Sequence, residues 1–224
     1  KTFFNLSVAY NATLNEQHGL SMGLQGGYVQ RALDQTSLTW NEQYDGNQYV
    51  ATLPSGESIK ANVNYIDASA GLLWKYSISN TADVHAGAGV FHVNQPNQSF
   101  TGLGDKLPMK IVAHARGRFT QRKSELAFIP NLMVAMQGPG REINAGILMR
   151  YLLRESSKYT GFIKGNAVYF GANYRVGDAA IIILGLEIAD WYLGISYDVN
   201  VSGFNKATSG VGGIELSLIF VKPD

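Results

Sequence analysis

Along nearly the whole chain, apolar and polar side chains alternate with a period of two. From Met109 one row reads Met109, Ile111, Ala113, Ala115, Gly117, Phe119, and the other reads Lys110, Val112, His114, Arg116, Arg118, Thr120. A strand with that alternation carries one apolar and one polar face. The same pattern runs through Phe4, Leu6, Val8, Tyr10 and Ala12, through Leu72, Trp74, Tyr76 and Ile78, and through Val168, Phe170, Ala172 and Tyr174. It is cleanest in Trp191, Leu193, Ile195, Tyr197 and Val199, set against Tyr192, Gly194, Ser196, Asp198 and Asn200. No window of similar length prefers helical spacing. The alternation predicts strands near 3–14, 19–31, 66–78, 83–93, 109–121, 125–136, 142–154, 166–176, 179–189, 191–201 and 212–221, eleven in all.

The connections differ in length at alternate ends. Turns are short at Asn15–His18, Ser79–Ala82, Arg122–Ser124 and Ala189–Asp190, whereas long polar segments run over Ala32–Tyr65 and Asn94–Pro108. Bacterial outer-membrane barrels have short periplasmic turns and longer external loops, and an even strand count. The expected fold is therefore all-β: an antiparallel, up-and-down transmembrane barrel forming a single domain over 1–224. The stretch Glu155–Gly165 is long on the short-turn side, and Gln137–Gly140 is short on the other. With eleven strands in this chain, an odd number of N-terminal strands is expected to be missing, and three would give fourteen.

Composition bears on the question of what the apolar rows face. Charged residues make up 16% of the 224 and hydrophobic residues 46%, so charge is scarce while apolar content is ordinary. Gly 25, Tyr 12, Phe 10 and Trp 3 lean the same way, toward a glycine- and aromatic-rich sheet. The longest apolar run, Ala179–Leu186, stops at Glu187 and is too short for a membrane helix. Barrel strands need only about 9–11 residues and show every second one to lipid. Trp74, Tyr76, Tyr151, Tyr174, Trp191, Tyr197 and Phe220 fall toward strand ends on apolar rows, where an interfacial girdle would sit. A net charge of +1 offers no basic field for nucleic acid. The absence of cysteine removes disulfides, thiolate metal sites and thiol nucleophiles together.

Reactive constellations are sparse. His114 lies on a polar row beside Arg116 and Arg118, His18 is placed in a turn, and His85 and His92 differ by seven residues, which puts them on opposite faces of a strand. No serine and histidine pair as nucleophile and base, and no catalytic, cofactor or metal site is expected. Gly87-Ala88-Gly89 and Gly210-Val211-Gly212-Gly213 lack the spacing of phosphate loops and read as close-approach or bulge sites. Arg116, Arg118, Arg150, Arg154 and Arg175 fall on polar rows, where lumenal acids such as Glu142, Glu187, Asp198 and Glu215 would pair with them.

Particular words of the sequence carry more than its period. Leu20–Arg31, followed by Leu38-Thr39-Trp40, Gln43-Tyr44-Asp45-Gly46 and Leu53-Pro54-Ser55-Gly56-Glu57, resembles the middle of the PorP/SprF family. Val90–Phe100 resembles it too, and the closing block Gly194–Ser202, Ala207–Gly210 and Gly213–Phe220 is the most specific match. Members of that family begin well upstream of Lys1, in keeping with the parity argument. The resemblance implies an outer-membrane barrel of the type IX secretion and gliding systems of Bacteroidota. Its expected partners are other secretion components, outer-membrane lipid and a secreted adhesin or cargo protein held through its C-terminal domain. Partner contacts are expected from the long external segments at Trp40, Tyr44, Asp45, Tyr49, Asn94, Gln95, Pro96, Asn97 and Phe100, since aromatic and Asn/Gln-rich loops suit adaptable protein contacts. The same segments could instead fold as a lid over the lumen. The alternatives are a solute channel and a lipid-modifying barrel enzyme.

Overall fold

Each alternating segment forms a strand, and the strands pair in the order of the chain. In a computed structural model that describes residues 1–35, 38–121, 124–154, 165–203 and 212–221, the strands are β1 (Thr2–Thr13), β2 (His18–Ala32), β3 (Asn62–Ser79), β4 (Ala82–Phe91), β5 (Lys110–Thr120), β6 (Leu126–Gln137), β7 (Gly140–Arg154), β8 (Asn166–Arg175), β9 (Ala179–Ile188), β10 (Trp191–Asn200) and β11 (Ile214–Phe220). They make one eleven-stranded sheet in sequential order. From β6 to β11 the pairing is antiparallel throughout. Tight connections bring consecutive strands together, as the short turns require. Asn41–Gln43 form a 3₁₀ turn, and among the described residues no helix is long and apolar enough to cross a membrane.

Three sequence expectations shift. β3 begins at Asn62 rather than near 66, because Asn62 and Asn64 mask the alternation of buried Val63 and Tyr65. His18 opens β2 instead of sitting in the turn, since the Asn15 carboxamide oxygen accepts the N–H groups of Gln17 and His18 at 2.9 and 2.8 Å and completes the turn before it. The closed barrel is not formed by these residues: β1 and β11 are the two edges of the strand order. The Glu155–Gly165 connection, apart from Gly165, the Arg122–Lys123 part of its turn and the Ala207–Gly210 part of the closing block lie outside the described residues.

Contacts divide the chain into two compact units, Lys1–Ala9 with Gly23–Gly71 and Val90–Lys110, and Tyr10–Met22 with Leu72–Gly89 and Ile111–Asp224. In the second unit the two faces of the sheet are the reverse of those in a water-soluble sheet. Along β10 the apolar row is the exposed one, with Leu193 at 48% and Ile195 at 44%, while Tyr192, Gly194, Ser196 and Asp198 are the more covered. The cross-strand neighbours Leu184 and Leu186 on β9 and Leu216 and Leu218 on β11 extend that apolar face. In the first unit Leu24, Tyr28 and Ile66 are exposed, while Gln25, Asp67 and Ser69 are covered. No large side chain among the described residues is fully buried. Hydrophobic burial, the usual driving force for a core, is thus nearly absent beneath the apolar face.

Glycine shapes the polar face. Tyr169, Gly185 and Gly194 stand side by side across β8, β9 and β10, and the Tyr192 ring lies over the two glycines. A Cβ at Gly185 would sit 2.5–2.8 Å from the Tyr192 hydroxyl end, and one at Gly194 would sit 2.9–3.3 Å from the ring. The close approach requires a residue without a side chain. Tyr192 in turn packs edge-on to Tyr169 with ring centroids 5.3 Å apart.

Gly185→Val should destabilise the sheet by about 1–3 kcal/mol through overpacking. The double variant Gly185→Val/Tyr192→Ala should lose less than the sum of the single changes, as urea-induced unfolding in lipid bilayers would show. Strict additivity would mean that the ring does not occupy the space above the glycine.

Candidate functional site

The candidate partner-facing residues lie in the first unit, in two connections that are built differently. After β2 the backbone turns at Asn41–Gln43 and then forms a small ladder in which Tyr44 bridges Tyr49 antiparallel. Gln43 is buried and holds this ladder. Its side-chain amide donates to the Leu53 and Ala51 carbonyls at 3.1 and 3.4 Å, and its oxygen accepts the Trp40 N–H at 3.2 Å and the Tyr49 hydroxyl at 3.4 Å. At the tip, Asp45 Oδ1 accepts the N–H groups of Asn47 and Gln48, each at 2.8 Å, and Gly46 takes φ +99, a conformation that favours glycine. These backbone donors, Gln48 first and then Asn47, hold the Asp45 carboxyl below the usual aspartate range. Tyr44 and Tyr49 remain 55% and 45% exposed, which leaves two phenol faces beside an ordered turn.

The second connection is spent mostly on itself and on the sheet. His92 and Gln95 adopt φ +57 and +42, and the Gln95 N–H donates to the His92 carbonyl. The Asn94 carboxamide extends the β3 pairing: its amide donates to the Ile66 carbonyl at 2.7 Å, and its oxygen accepts the Ala68 N–H at 3.2 Å. His92 Nδ1 lies 2.8 Å from Asp67 Oδ2. Beyond buried Pro96 the chain doubles back, with Asn97 bridging Lys106 and its side-chain oxygen accepting the Ser99 and Asp105 N–H groups. Phe100 packs against Val29, Val63 and Tyr65 on the polar rows of β2 and β3. The Arg31 guanidinium stands 4.9 Å from the Phe100 ring centroid and donates to Gln98 Oε1 at 3.0 Å and to the Gln98 carbonyl at 3.2 Å. The Lys60 N–H caps the Phe100 carbonyl at 2.8 Å. Residues 96–107 therefore form a strap across the polar side of the first unit.

The structure thus separates the nine candidates. Trp40, Tyr44, Asp45 and Tyr49 share one ladder, whereas Asn94, Gln95, Pro96, Asn97 and Phe100 belong to the strap and its hinge. Gln43, Arg31 and Asp67 organise both and were not singled out from the sequence. Arg31 carried a signal, because it continues the polar row of Gln25, Gly27 and Val29. Gln43 carried none, since its partners are backbone carbonyls several residues away.

In the second unit the polar rows are joined by charge. Arg150 Nη2 donates to Glu187 Oε1 at 2.9 Å, Arg150 Nε donates to the Tyr169 hydroxyl at 2.9 Å, and Tyr169 donates to Glu187 Oε2. Arg175 reaches Asp178 at 2.8 Å, Asp198 at 3.1 Å and Glu142 at 3.7 Å. Glu142, Glu187 and Asp198 are therefore the partners expected from the sequence. Arg118 pairs instead with Asp83, at 2.6 Å, and the side chain of Arg154 lies outside the described residues. His114 packs over Gly87, where an added Cβ would come within 2.6 Å of its ring, and among the described residues no group of histidines and acids could hold a metal ion.

The exposed rows end in aromatics. Trp74 and Tyr76 stack with His18 beside the short turns, the closest centroids 4.5 Å apart, and Trp191 packs on Phe220 at 4.8 Å. Tyr174 and Tyr197 sit toward the other end of the strands. From Trp191 to Tyr197 the strand rises about 20 Å, close to the apolar band of membrane barrels.

An all-β chain that exposes leucine and isoleucine between two sets of aromatics, and shields paired arginines behind them, belongs to the class of membrane proteins that meet lipid with strands. The family described as type IX secretion system membrane protein PorP/SprF matches residues 1–220, and the chain belongs to it. It is a membrane component of type IX secretion. No curated protein and no solved structure matches the chain.

Two outcomes follow. Ile195→Arg, on the exposed row, should cost about 2–4 kcal/mol in bilayer-folding equilibria, whereas Ser196→Arg on the covered row should cost far less. Comparable losses would contradict the assignment of the faces. For Asp45 the depressed carboxyl stabilises the turn at pH above the ordinary aspartate value, and that contribution fades as pH falls through the lowered one. The Asn47 and Gln48 amide resonances should therefore titrate together, with a midpoint below that of a free aspartate, and a midpoint at or above the free value would refute the turn.

Proposed function

We propose that this chain forms the wall of an outer-membrane barrel that captures or anchors a secreted cell-surface protein, an adhesin, through that protein's C-terminal domain. The partner docks on the ladder formed by Trp40, Tyr44, Asp45 and Tyr49. Family membership supports the setting, and one observation carries the docking surface: two half-exposed tyrosines held beside a carboxylate-pinned turn by a buried glutamine. Rigid aromatics with few rotamers lose little entropy on contact, which is why they recur in protein-binding loops. Asn94, Gln95, Pro96, Asn97 and Phe100 set the position of the strap and contribute to docking through it. Other type IX components and membrane lipid complete the expected surroundings.

The barrel itself is completed beyond the two edges seen here. β1 and β11 are both odd-numbered and run in the same direction, so antiparallel closure takes an odd number of further strands between them. Closing the sheet satisfies the edge N–H and C=O groups, each of which would cost several kcal/mol unpaired in hydrocarbon. The strap across the polar side favours an anchor over an open solute channel, because it occupies the face along which solute would pass.

Deleting Asn41–Ile59 from the native protein should leave assembly and heat-modifiable migration intact while abolishing co-purification of the secreted partner. Recovery of the partner at the unaltered level would remove this ladder as the docking surface.

A further inference from the structure

On the polar side of the second unit, at the short-turn end, lies a cavity of about 640 Å³ that no part of the proposed docking uses. Its walls come from the polar rows of β5 and β7 to β11 and the turn before β10. Leu148, Ile219 and Val221 supply apolar surface, Tyr169 and Tyr192 supply phenol rings, and Trp191 stands at the rim. The volume is typical of small-molecule sites, which are mainly apolar with a few converging polar groups.

Three charged side chains line it, and two of them are already satisfied. Glu187 is held by Arg150 at 2.9 Å and by the Tyr169 hydroxyl, and Asp190 has a partner of its own. Arg116 is exposed, and no carboxylate among the described residues pairs with it. The sequence led us to expect an acid partner there, and the neighbouring Arg118 has one in Asp83 at 2.6 Å. Arg116 is therefore the cation of the cavity lining, which it shares with the apolar side chains of Leu148, Ile219 and Val221. Guanidinium binds carboxylate by paired N–H donors, and it does so more strongly where water is partly excluded.

We propose that this cavity binds a carboxylate carried on a compact apolar body, with the anionic head on Arg116 and the apolar part against Leu148, Ile219 and Val221. A medium-chain fatty acid and the C-terminal residue of a peptide share that chemistry. The proposal does not depend on partner docking at Tyr44 and Tyr49, which lie in the other unit.

The full-length protein in lipid nanodiscs allows a direct test by fluorescence titration, with the Trp191 signal isolated as the difference between the unaltered protein and its Trp191→Phe variant. Octanoate should saturate the signal, whereas octan-1-ol, which has the same apolar body without the charge, should bind about tenfold or more weakly after subtraction of empty nanodiscs. Arg116→Gln should weaken octanoate by a similar factor and leave octan-1-ol unchanged, and Arg118→Gln should alter neither. Acetyl-Ala-Leu and its amide form the second arm. A free acid tighter than octanoate identifies a peptide terminus as the source, and the reverse ranking identifies a fatty acid. Equal binding of octanoate and octan-1-ol in the unaltered protein, or octanoate binding indifferent to Arg116→Gln, overturns the proposal.

Discussion

Hydrocarbon offers no hydrogen bonds, and that constraint governs the rest of this structure. A chain that meets lipid must pair its backbone internally and turn its polar side chains away, so an alternating strand places leucine and isoleucine outward and arginine and aspartate behind the sheet. The exposed rows of Leu184, Leu193, Ile195 and Leu216 and the more covered rows of Arg150, Tyr169, Glu187 and Asp198 follow directly. The same constraint explains the scarcity of charge. A surface wetted by acyl chains needs few ions, and several of those present, Arg118, Arg150 and Arg175 among them, pair with acids.

Once the polar side chains share one face, they must satisfy one another. Arg150 and Arg175 each do so through neighbouring strands, and the glycines at 185 and 194 leave room for the Tyr192 ring beside them. Arg116 departs from that economy, because its row provides a cavity where the others provide a carboxylate. In the first unit the polar rows are covered differently, by a strap whose Phe100 fills the space over Val29, Val63 and Tyr65. Long-loop residues thereby divide into those that cover the sheet and those, Tyr44 and Tyr49 above all, that remain available to another surface.

Much of this architecture was legible in the alternation alone. Period two gives strands, and the short turns give sequential pairing, since both depend on local geometry. Partners across strands depend on register, which a one-residue slip would invert. Glu187 could be assigned to Arg150 in kind, whereas the Arg118–Asp83 pair was not foreseen. The roles of the loop residues were less legible still. Asn94 and Asn97 read as adaptable surface groups but spend their carboxamides on backbone N–H groups, and buried Gln43 orders a ladder that no local motif announces. The closed barrel expected from the alternation is not formed by the described strands, because β1 and β11 remain the two ends of the strand order.

The central claim is that acyl chains contact the exposed apolar rows. Nitroxide labels placed one at a time at positions 193 to 196 of the bilayer-embedded protein test it most directly, through collision with oxygen, which concentrates in lipid, and with a water-soluble nickel chelate. The account predicts high oxygen and low nickel accessibility at 193 and 195, and the reverse order at 194 and 196. Labels at 193 and 195 shielded from both reagents would mean that a packed protein core covers those side chains, and the membrane reading of the sheet would fail.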